Sequence, residues 1–383
     1  MTDAALDTDV LVVGAGPVGM TLALILAAAG RRTLLLDRRS RGAHRDDPRA
    51  LALAHGARQL LTTLGAWNTD AGTPIHDIHV SQRGGFGRTL IAREEMAVAA
   101  LGYVMRYRDL AAALDARLPA DSLLDRAELA ALRIDADAAT ATIRRDDAER
   151  TIRARLVVHA EGTPADGADV TLRDYRQHAV LAEVRPGAAH GHRAWERFTP
   201  DGPLALLPLG DDYSVVFTVP PEKADALMAM DDAAFLTALQ AQFGPRVAFA
   251  ATSPRARYPL ALRLRRQLAA PREAWIGNAA QTLHPVSGQG FNLGLRDAWE
   301  LAEVLLADPT GDPGDAVRLE RYARGRRLDR GGGAAFTDGI VRAFSNDFPP
   351  LRIARGLGLL ALDLCPPARR FVAGRMIWGA RGW

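Results

Sequence analysis

Three glycines and one aspartate near the start of the chain have the spacing of a dinucleotide-binding turn. Gly14, Gly16 and Gly19 follow a short apolar run, Pro17 lies between them, and Asp37 comes 23 residues after Gly14. In such a turn the first two glycines allow a tight bend and close approach of a pyrophosphate, and the third lets helix and strand pack. The carboxylate is expected to bind a ribose hydroxyl. These residues predict dinucleotide binding and leave open whether the ligand is FAD or NAD.

A second glycine-rich stretch has the layout of a ligand-binding loop before a helix. A short apolar run ends at Gly277, and the loop after it contains Pro285 and the turn Gly288-Gln289-Gly290. From about residue 291 the apolar residues recur at helical spacing, on the stripe Phe291, Leu295, Trp299, Ala302 and Leu305. A strand, a loop and a helix start direct free backbone N–H groups and a positive helix end at an electron-rich ligand. By itself this pattern indicates only an anion or cofactor site.

The residues of this second stretch also indicate a family. Residues 277–285, Gly-Asn-Ala-Ala-Gln-Thr-Leu-His-Pro, and 288–297, Gly-Gln-Gly-Phe-Asn-Leu-Gly-Leu-Arg-Asp, closely resemble the second flavin motif of the ubiquinone-biosynthesis hydroxylases. These are flavin-dependent aromatic monooxygenases of the para-hydroxybenzoate hydroxylase fold. Residues 196–209, Glu-Arg-Phe-Thr-Pro-Asp-Gly-Pro-Leu-Ala-Leu-Leu-Pro-Leu, are similar to the same family, and in pieces the resemblance covers nearly the whole chain.

The resemblance implies that the bound dinucleotide is FAD, with NAD(P)H as a transient reductant that has no GxGxxG turn of its own. Arg49 lies where the family has an arginine that contacts FAD; the other interpretation is a solvated arginine at a helix start. Arg108 matches the arginine near the FAD phosphates, and Arg106 is the alternative. Glu161 replaces the aspartate of a family Ala-Asp-Gly motif. The implied FAD-binding residues are Gly14, Gly16, Pro17, Gly19, Asp37, Arg49, Arg108, Glu161, Gly277, Asn278, Pro285, Gly288, Gln289, Gly290 and Asn292.

His284 is the one side chain of the second motif that could relay a proton, because histidine titrates near neutral pH. A structural role in the loop is the alternative interpretation. Asn278 stands where the wider fold has an aspartate bound to the ribityl chain, and an amide can still make that hydrogen bond. The resemblance implies that the helix start near residue 291 stabilises negative charge on the reduced flavin.

The predicted fold is α/β: a Rossmann-like FAD-binding domain interleaved with a mainly antiparallel β-sheet substrate domain, plus C-terminal helices. Strand, helix and strand patterns surround the first glycine turn, and alternating apolar runs fill the middle of the chain. In the middle sheet Leu206, Leu207, Pro208 and Phe217 could face substrate or form plain sheet core. The predicted boundaries are 1–72, 95–175 and 262–340 for the FAD-binding domain, 73–94 and 176–261 for the substrate sheet, and 341–383 for a basic, apolar C-terminal helical segment.

Composition excludes several other classes of function. A net charge of +3 and the lack of a basic helix with interleaved aromatics argue against nucleic-acid binding. Cys365 is the single cysteine, so no internal disulfide and no cysteine-based metal site is expected. His76 and His79 form a histidine pair, but no acid or cysteine completes a metal site beside them. The acidic start of the chain lacks the basic region of a signal peptide, which predicts a cytoplasmic protein.

The last 43 residues differ from the rest in charge. Residues 341–383 contain seven Arg and two Asp, a net charge of +5, among apolar residues at helical spacing. This pattern fits a segment that lies on a membrane surface, at the inner face of the membrane. A C-terminal helix packed on the flavin domain is the equally weighted alternative.

The resemblance implies an FAD-dependent hydroxylase that uses NAD(P)H and O2 to hydroxylate the aromatic ring of a prenylated phenol in ubiquinone biosynthesis. It also implies association with other proteins of that pathway. Sister hydroxylases acting on another ring position or another aromatic substrate are close alternatives. A flavin oxidoreductase that does not hydroxylate and a flavoprotein subunit without catalysis are the other classes.

Overall fold

Two large sheets and a set of helices build the molecule, which is described here from a computed structural model for residues 7–146, 148–164, 166–167, 169–346 and 348–378. The helices in these residues are α1 (Pro17–Ala28), α2 (His55–Thr63), α3 (Tyr107–Asp115), α4 (Pro221–Ala229), α5 (Asp232–Phe243), α6 (Gln289–Leu306), α7 (Ala316–Phe344), α8 (Pro349–Leu364) and α9 (Pro366–Trp378). Short 3-10 helices span Ala43–Asp46, Arg93–Met96, Gly277–Ala279 and Pro285–Ser287. The strands are β1 (Thr8–Val13), β2 (Thr33–Leu36), β3 (Ala50–Ala54), β4 (Thr73–Ile75), β5 (Asp77–Gln82), β6 (Arg88–Ala92), β7 (Gly102–Arg106), β8 (Leu123–Leu124), β9 (Ala127–Ile134), β10 (Ala139–Arg145), β11 (Ala148–His159), β12 (Val170–Pro186), β13 (Arg193–Phe198), β14 (Pro203–Leu209), β15 (Asp212–Val219), β16 (Phe249–Thr252), β17 (Ala256–Arg265), β18 (Ala269–Ala270), β19 (Glu273–Trp275) and β20 (Gln281–Thr282).

The first sheet is the Rossmann-like half that the sequence predicts. Its order is β18-β19-β11-β1-β2-β8, and β1 is parallel to both β2 and β11. The helix α1 crosses from β1 to β2, so the predicted βαβ unit is confirmed. The strand β11 of this sheet is long and spans Ala148–His159. Its first half pairs with β10 and its second half with β1, because the strand runs from a surface hairpin into the core.

The second sheet is the mainly antiparallel one, in the order β20-β17-β12-β15-β14-β13-β5-β6. One of its faces is covered by α4 and α5, and the buried cluster there includes Leu206 and Phe217. Of the two alternatives for these residues, sheet core is the one that the structure shows, because the pleat turns both side chains towards the helices. Leu207 lies on the opposite face and packs with Ile75 and Leu101.

A third, three-stranded sheet, β3-β7-β4, contacts α6 through β3 and β14 of the second sheet through β4 and β7. Arg106 at the end of β7 donates to Glu183 of β12 through Nε at 2.9 Å and Nη2 at 2.5 Å. A two-point guanidinium–carboxylate pair fixes orientation as well as distance. This pair ties the third sheet to the face of the second sheet that carries Glu183.

The C-terminal segment forms α8 and α9. The helix α8 packs along the β5–β6 hairpin, where Thr89 Oγ1 donates to the carbonyl of Leu359 at 2.7 Å. Arg369 of α9 forms an ion pair with Glu95 at 2.7 Å. Within the described residues, no helix combines the length and apolarity needed to cross a bilayer.

Candidate functional site

The N-terminus of α1 is an open anion-binding end. Gly16 caps the helix without a side-chain hydrogen bond, and the first turn contains no acidic residue. The first backbone N–H groups of a helix have no partner within the helix, so here they remain available to a ligand. Asp37 at the end of β2 accepts a hydrogen bond from Ala15 N at 2.8 Å, which holds the turn in place. Arg39 also donates to Asp37, and its side chain is 45% exposed, so it can move aside for a ribose hydroxyl.

The three glycines of the first turn serve different purposes. A Cβ on Gly14 would lie 2.4 Å from the carbonyl oxygen of Ala160, and one on Gly19 would lie 2.0 Å from the carbonyl oxygen of Gly14. Both glycines are therefore required by packing within the protein. A Cβ on Gly16 would meet nothing closer than Tyr107 Oη at 3.5 Å, an ordinary contact. Packing within the protein therefore does not require glycine at residue 16, and the open space there leaves room for a ligand.

The second loop ends in another uncapped helix. The structure starts α6 at Gln289, slightly before the predicted start near Phe291, because Gly288 takes the left-handed conformation (φ +59°) that reverses the chain. Gly288 provides no side-chain cap, and the first turn of α6 has no acidic residue. A Cβ on Gly290 would meet only Leu283 Cβ, at 4.0 Å. Like Gly16, Gly290 leaves space that the protein itself does not fill.

The first glycine turn and the second glycine-rich loop are in contact where α1 meets α6. A Cβ on Gly277 would lie 3.1 Å from Val18 Cγ1, and one on Gly294 of α6 would lie 3.0 Å from Val18 Cγ2. Val18 is the second residue of α1. The beginnings of α1 and α6 are thus packed side by side, which brings two positive helix ends close together. This arrangement fits a bound FAD, whose diphosphate and flavin ring both attract N–H donors.

Two predicted cofactor residues use their side chains inside the protein. Asn292 accepts from Ala54 N at 2.7 Å and donates to the carbonyls of Ala52 and Gly288 at 2.8 and 2.9 Å. Both N–H donors of its amide are used, so Asn292 positions the α6 start. Gln289 donates to the carbonyl of Met376 in α9 at 3.1 Å. Contact of either side chain with FAD remains a prediction.

His284 is buried at 0% exposure and caps the 3-10 turn Pro285–Ser287 by accepting from Val286 N at 3.1 Å. Burial lowers its pKa to about 4, so the ring is neutral around pH 7. Because the ring is neutral and its Nδ1 accepts a backbone hydrogen bond, His284 has the structural role in the loop that the sequence offered as the alternative. A part for His284 in proton relay remains a prediction. Pro285 and Asn278 lie exposed on the same loop.

The predicted arginines are placed differently from one another. Arg49 forms an ion pair with Asp47 at 2.6 Å and lies 4.5 Å from the Tyr107 ring centre. Arg108 at the start of α3 is 51% exposed and has a loose ion pair with Asp109 at 3.9 Å. Because Arg106 is held by a carboxylate of the second sheet, Arg108 is the freer of the two for an anionic ligand.

Glu161 belongs to a charged cluster that sequence reasoning missed. His159 at the end of β11 lies between Glu161 Oε1 at 3.2 Å and Glu273 Oε1 at 3.0 Å, and its ring stacks on Trp275 at 5.0 Å. Burial would lower the pKa of His159, but the two carboxylates raise it to about 9. The imidazolium therefore fixes Glu161 beside the first glycine turn. The sequence signal was a histidine at the end of a buried strand, two residues before an acid.

A buried ion network anchors the second loop and was also missed. Asp297 of α6 is 0% exposed and accepts from Gly277 N at 3.0 Å and from Arg326 Nε at 2.7 Å. Arg326 of α7, also 0% exposed, donates further to Glu300 at 2.6 Å and Asp329 at 2.8 Å. These carboxylates raise the pKa of Arg326 against the effect of its burial. The available signal was an aspartate on the buried side of an amphipathic helix. Among the described residues no cluster of three metal-type ligands occurs.

Comparisons with known proteins identify the family of the chain. The FAD binding domain family matches residues 7–330. The chain is 37% identical to a ubiquinone hydroxylase, UbiL, of Rhodospirillum rubrum, over 94% of this chain and 87% of that protein. It is 30% identical to the 3-demethoxyubiquinol 3-hydroxylase of Escherichia coli, over 93% of this chain and 95% of the relative.

A solved structure shares the fold. The p-nitrophenol 4-monooxygenase PnpA of Pseudomonas putida superposes with a TM-score of 0.78 at 18% identity, covering 98% of this chain and 99% of its own. At that identity the likeness concerns the fold alone. With the family match over most of the chain and relatives of 37% and 30% identity along nearly its whole length, the chain belongs to the ubiquinone-biosynthesis hydroxylase family of FAD-dependent monooxygenases.

Proposed function

We propose that this protein is an FAD-dependent ring hydroxylase that uses NAD(P)H and O2 to hydroxylate a prenylated phenol in ubiquinone biosynthesis. The observation that carries the proposal is the side-by-side packing of the uncapped starts of α1 and α6, each with a glycine whose added Cβ would meet no protein atom closer than an ordinary contact. The relatives with ubiquinone hydroxylase names support the substrate class.

The chain's own residues supply placement and charge. When bound, FAD accepts a hydride from NAD(P)H and activates O2 for transfer of one oxygen atom to an electron-rich ring. The α1 start would hold the diphosphate, and the α6 start would stabilise negative charge on the reduced ring. Asp297 keeps the carbonyl and N–H groups of the second loop oriented by binding Gly277 N. Arg108 would add a positive charge near the phosphates.

The substrate-facing wall is the face of the second sheet opposite α4 and α5. Leu181 pairs with Val216, and Ala179 pairs with Tyr258, on the face that also carries Glu183. Leu181, Val216 and Tyr258 are half-buried there, unlike the fully packed residues of the other face. An apolar wall with a phenol hydroxyl suits an aromatic ring, because it excludes water from the reacting oxygen.

The cofactor part of the proposal is tested by alanine at the two ligand-facing glycines. Gly16→Ala and Gly290→Ala keep ordinary protein contacts, so the melting temperature should be unchanged or slightly higher, while flavin occupancy or its rate of reduction by NADH falls. Gly339→Ala is the matched control, since a Cβ on that glycine of α7 meets nothing within 4 Å. Unchanged flavin content and reduction in both variants would contradict the site.

The reaction is tested with the purified flavoprotein and a short-chain prenylated phenol. NADH-dependent O2 uptake should rise with the phenol, and mass spectrometry should find a product with one added oxygen. NADH oxidation without a hydroxylated product would instead identify a flavin oxidoreductase. A bound flavin that no nicotinamide can bleach would identify a flavoprotein subunit without catalysis.

The proposal includes peripheral membrane contact and association with other proteins of the pathway, because a prenylated substrate resides in the bilayer. Support comes from the net charge of +5 in residues 341–383. Within that segment Arg355 donates to the carbonyls of Leu351, Phe344 and Asn346, and Arg369 pairs with Glu95. Membrane contact must therefore use other residues than these two arginines.

A further inference from the structure

A pocket of about 680 Å³ lies on the second sheet, on the same face as α4 and α5 and away from the flavin half. It is enclosed by the β5–β6 hairpin, the end of β13, the loop after α5, and one side of α8. Its wall combines glycines of the hairpin with Phe86, Phe243 and Leu360. None of the residues assigned above to FAD or to the substrate wall borders this pocket.

The pocket is strongly basic. Arg88, Arg197 and Arg246 line it, and in the part of the chain that the structure describes none of the three has a carboxylate within ion-pair distance. Arg197 donates to the carbonyl of Gln242 at 3.2 Å and to Ser81 Oγ at 3.4 Å. Burial lowers its pKa, and the charges of Arg246 and Arg83 lower it further.

The acidic residue at this pocket does not offset that charge. Asp363 of α8 is part of the wall, and its Oδ1 accepts a hydrogen bond from Leu90 N at 3.0 Å. The wall therefore has three guanidinium groups and one carboxylate, and a bound anion would offset this excess of positive charge.

An exposed apolar stripe borders the same pocket. On α8, Ile353, Leu357, Leu360 and Leu364 recur at helical spacing and are 55%, 55%, 39% and 73% exposed. The other side of α8 is fixed on the hairpin, where a Cβ on Gly356 would lie 2.8 Å from the carbonyl of Phe86. Leu360 belongs to both the stripe and the pocket wall. Phe86, at the tip of the hairpin, is 49% exposed.

We infer that this surface binds an anionic phospholipid, with the headgroup phosphate between Arg88, Arg197 and Arg246 and the α8 stripe in the acyl–headgroup boundary. A helix with an apolar face beside basic side chains is the pattern of a segment that lies in a membrane interface. Guanidinium groups bind phosphate oxygens in a fork, and anionic membranes attract arginine clusters. Because a prenylated substrate resides in the bilayer, docking through this surface would bring the protein to the membrane that holds its proposed substrate, and the biological use of the surface rests on that proposed function.

The contribution of the arginines to membrane binding is tested with the FAD-loaded protein and vesicles of phosphatidylcholine, with or without phosphatidylglycerol. Arg88→Gln together with Arg246→Gln should weaken binding to the anionic vesicles about thirtyfold at low salt, since each arginine near such a surface contributes about fivefold. Both residues are exposed and make no ion pair among the described residues. The matched control, Arg150→Gln with Arg321→Gln, removes the same charge from exposed positions elsewhere and should retain most of the binding.

The contribution of the apolar α8 stripe is tested with the double variant Leu357→Gln and Leu364→Gln. This variant should weaken vesicle binding at any salt concentration, because salt does not screen an apolar contact. Its control is Val317→Gln with Leu328→Gln, at positions of α7 that are 70% and 71% exposed. All four variants should keep their flavin, their melting temperature and their NADH oxidation with a soluble phenol, so that loss of docking is distinguished from loss of the proposed catalysis.

Several results would overturn the inference. The parent protein could ignore anionic vesicles, or the paired variants could bind as tightly as their controls. Binding of inorganic phosphate by the parent, lost with the arginines but without vesicle binding, would make the pocket a site for a soluble anion. If ultracentrifugation shows a dimer of the parent that Leu357→Gln with Leu364→Gln dissociates, the stripe is a contact between two copies.

Discussion

The His159 cluster makes the stability of this protein depend on pH in a defined direction. His159 is 7% exposed and lies within 3.2 Å of Glu161 and 3.0 Å of Glu273, and its pKa is raised to about 9. In the unfolded chain a histidine has a pKa of about 6.5. A raised folded-state pKa adds stability that is fully present below about pH 6.5 and is lost as the pH rises through about 9.

The size of the effect follows from the difference between these two pKa values. A span from about 6.5 to about 9 corresponds to about 3 kcal/mol of folding free energy. We expect His159→Gln to remove this contribution. The difference in unfolding free energy between wild type and variant should therefore be about 3 kcal/mol larger at about pH 6 than at about pH 9.5. The comparison of the two proteins cancels the titration of all other groups.

The assay is urea-induced unfolding of both proteins across this pH range, with the slope against urea checked for constancy. His76→Gln serves as a control, because burial lowers the pKa of His76 and its ring stays neutral above about pH 6.5. If the unfolding free energies of the wild type and His159→Gln run parallel between about pH 6 and about pH 9.5, then His159 is not held as an imidazolium and the reasoning fails. A gap that widens with pH would refute it as well.

Three further predictions concern residues that hold the site together. Asp297→Ala leaves Arg326 with one buried carboxylate fewer and should lower the unfolding free energy by about 3–5 kcal/mol and weaken FAD retention, as measured by urea titration and flavin absorbance; an unchanged titration would contradict the network. Asn292→Ala removes hydrogen bonds from Ala54 N and two carbonyls, and should lower the melting temperature together with a loss of about 2–3 kcal/mol, whereas a merely ligand-binding side chain would leave the apoprotein unaffected. Arg369→Gln should lower the unfolding free energy by about 2 kcal/mol because Glu95 loses its partner. Arg370→Gln removes a neighbouring exposed arginine and should leave the unfolding free energy unchanged, and urea titration compares the two variants.

Much of the site can be predicted from the sequence because its requirements are local. The spacing of Gly14, Gly16, Gly19 and Asp37 within a strand–helix–strand pattern predicts the βαβ unit, and the structure has it. The stripe from Phe291 to Leu305 predicts α6, and all five of its positions pack in or against the main core. Backbone conformation and helical period depend on near neighbours in the chain, so they can be predicted from the sequence alone.

Other features depend on partners far away in the chain, and only the tertiary structure decides them. Gly14 must be glycine because the carbonyl of Ala160 lies against it, a contact that no local pattern encodes. The choice between Arg106 and Arg108 follows from Glu183, which holds Arg106.

The same reason explains which faces are buried and which charges are paired. An alternating strand pattern shows that one face is buried, but it does not show which element covers that face. Leu206 and Phe217 are assigned to the core only by the structure, in which α4 and α5 cover them. In the sequence, Asp297 and Arg326 are indistinguishable from ordinary charged surface residues. In the folded protein both are buried and form an ion pair with each other. Sequence periodicity determined the elements, and long-range burial decided which side chains became the site, because desolvation and ion pairing act only between residues that the fold brings together.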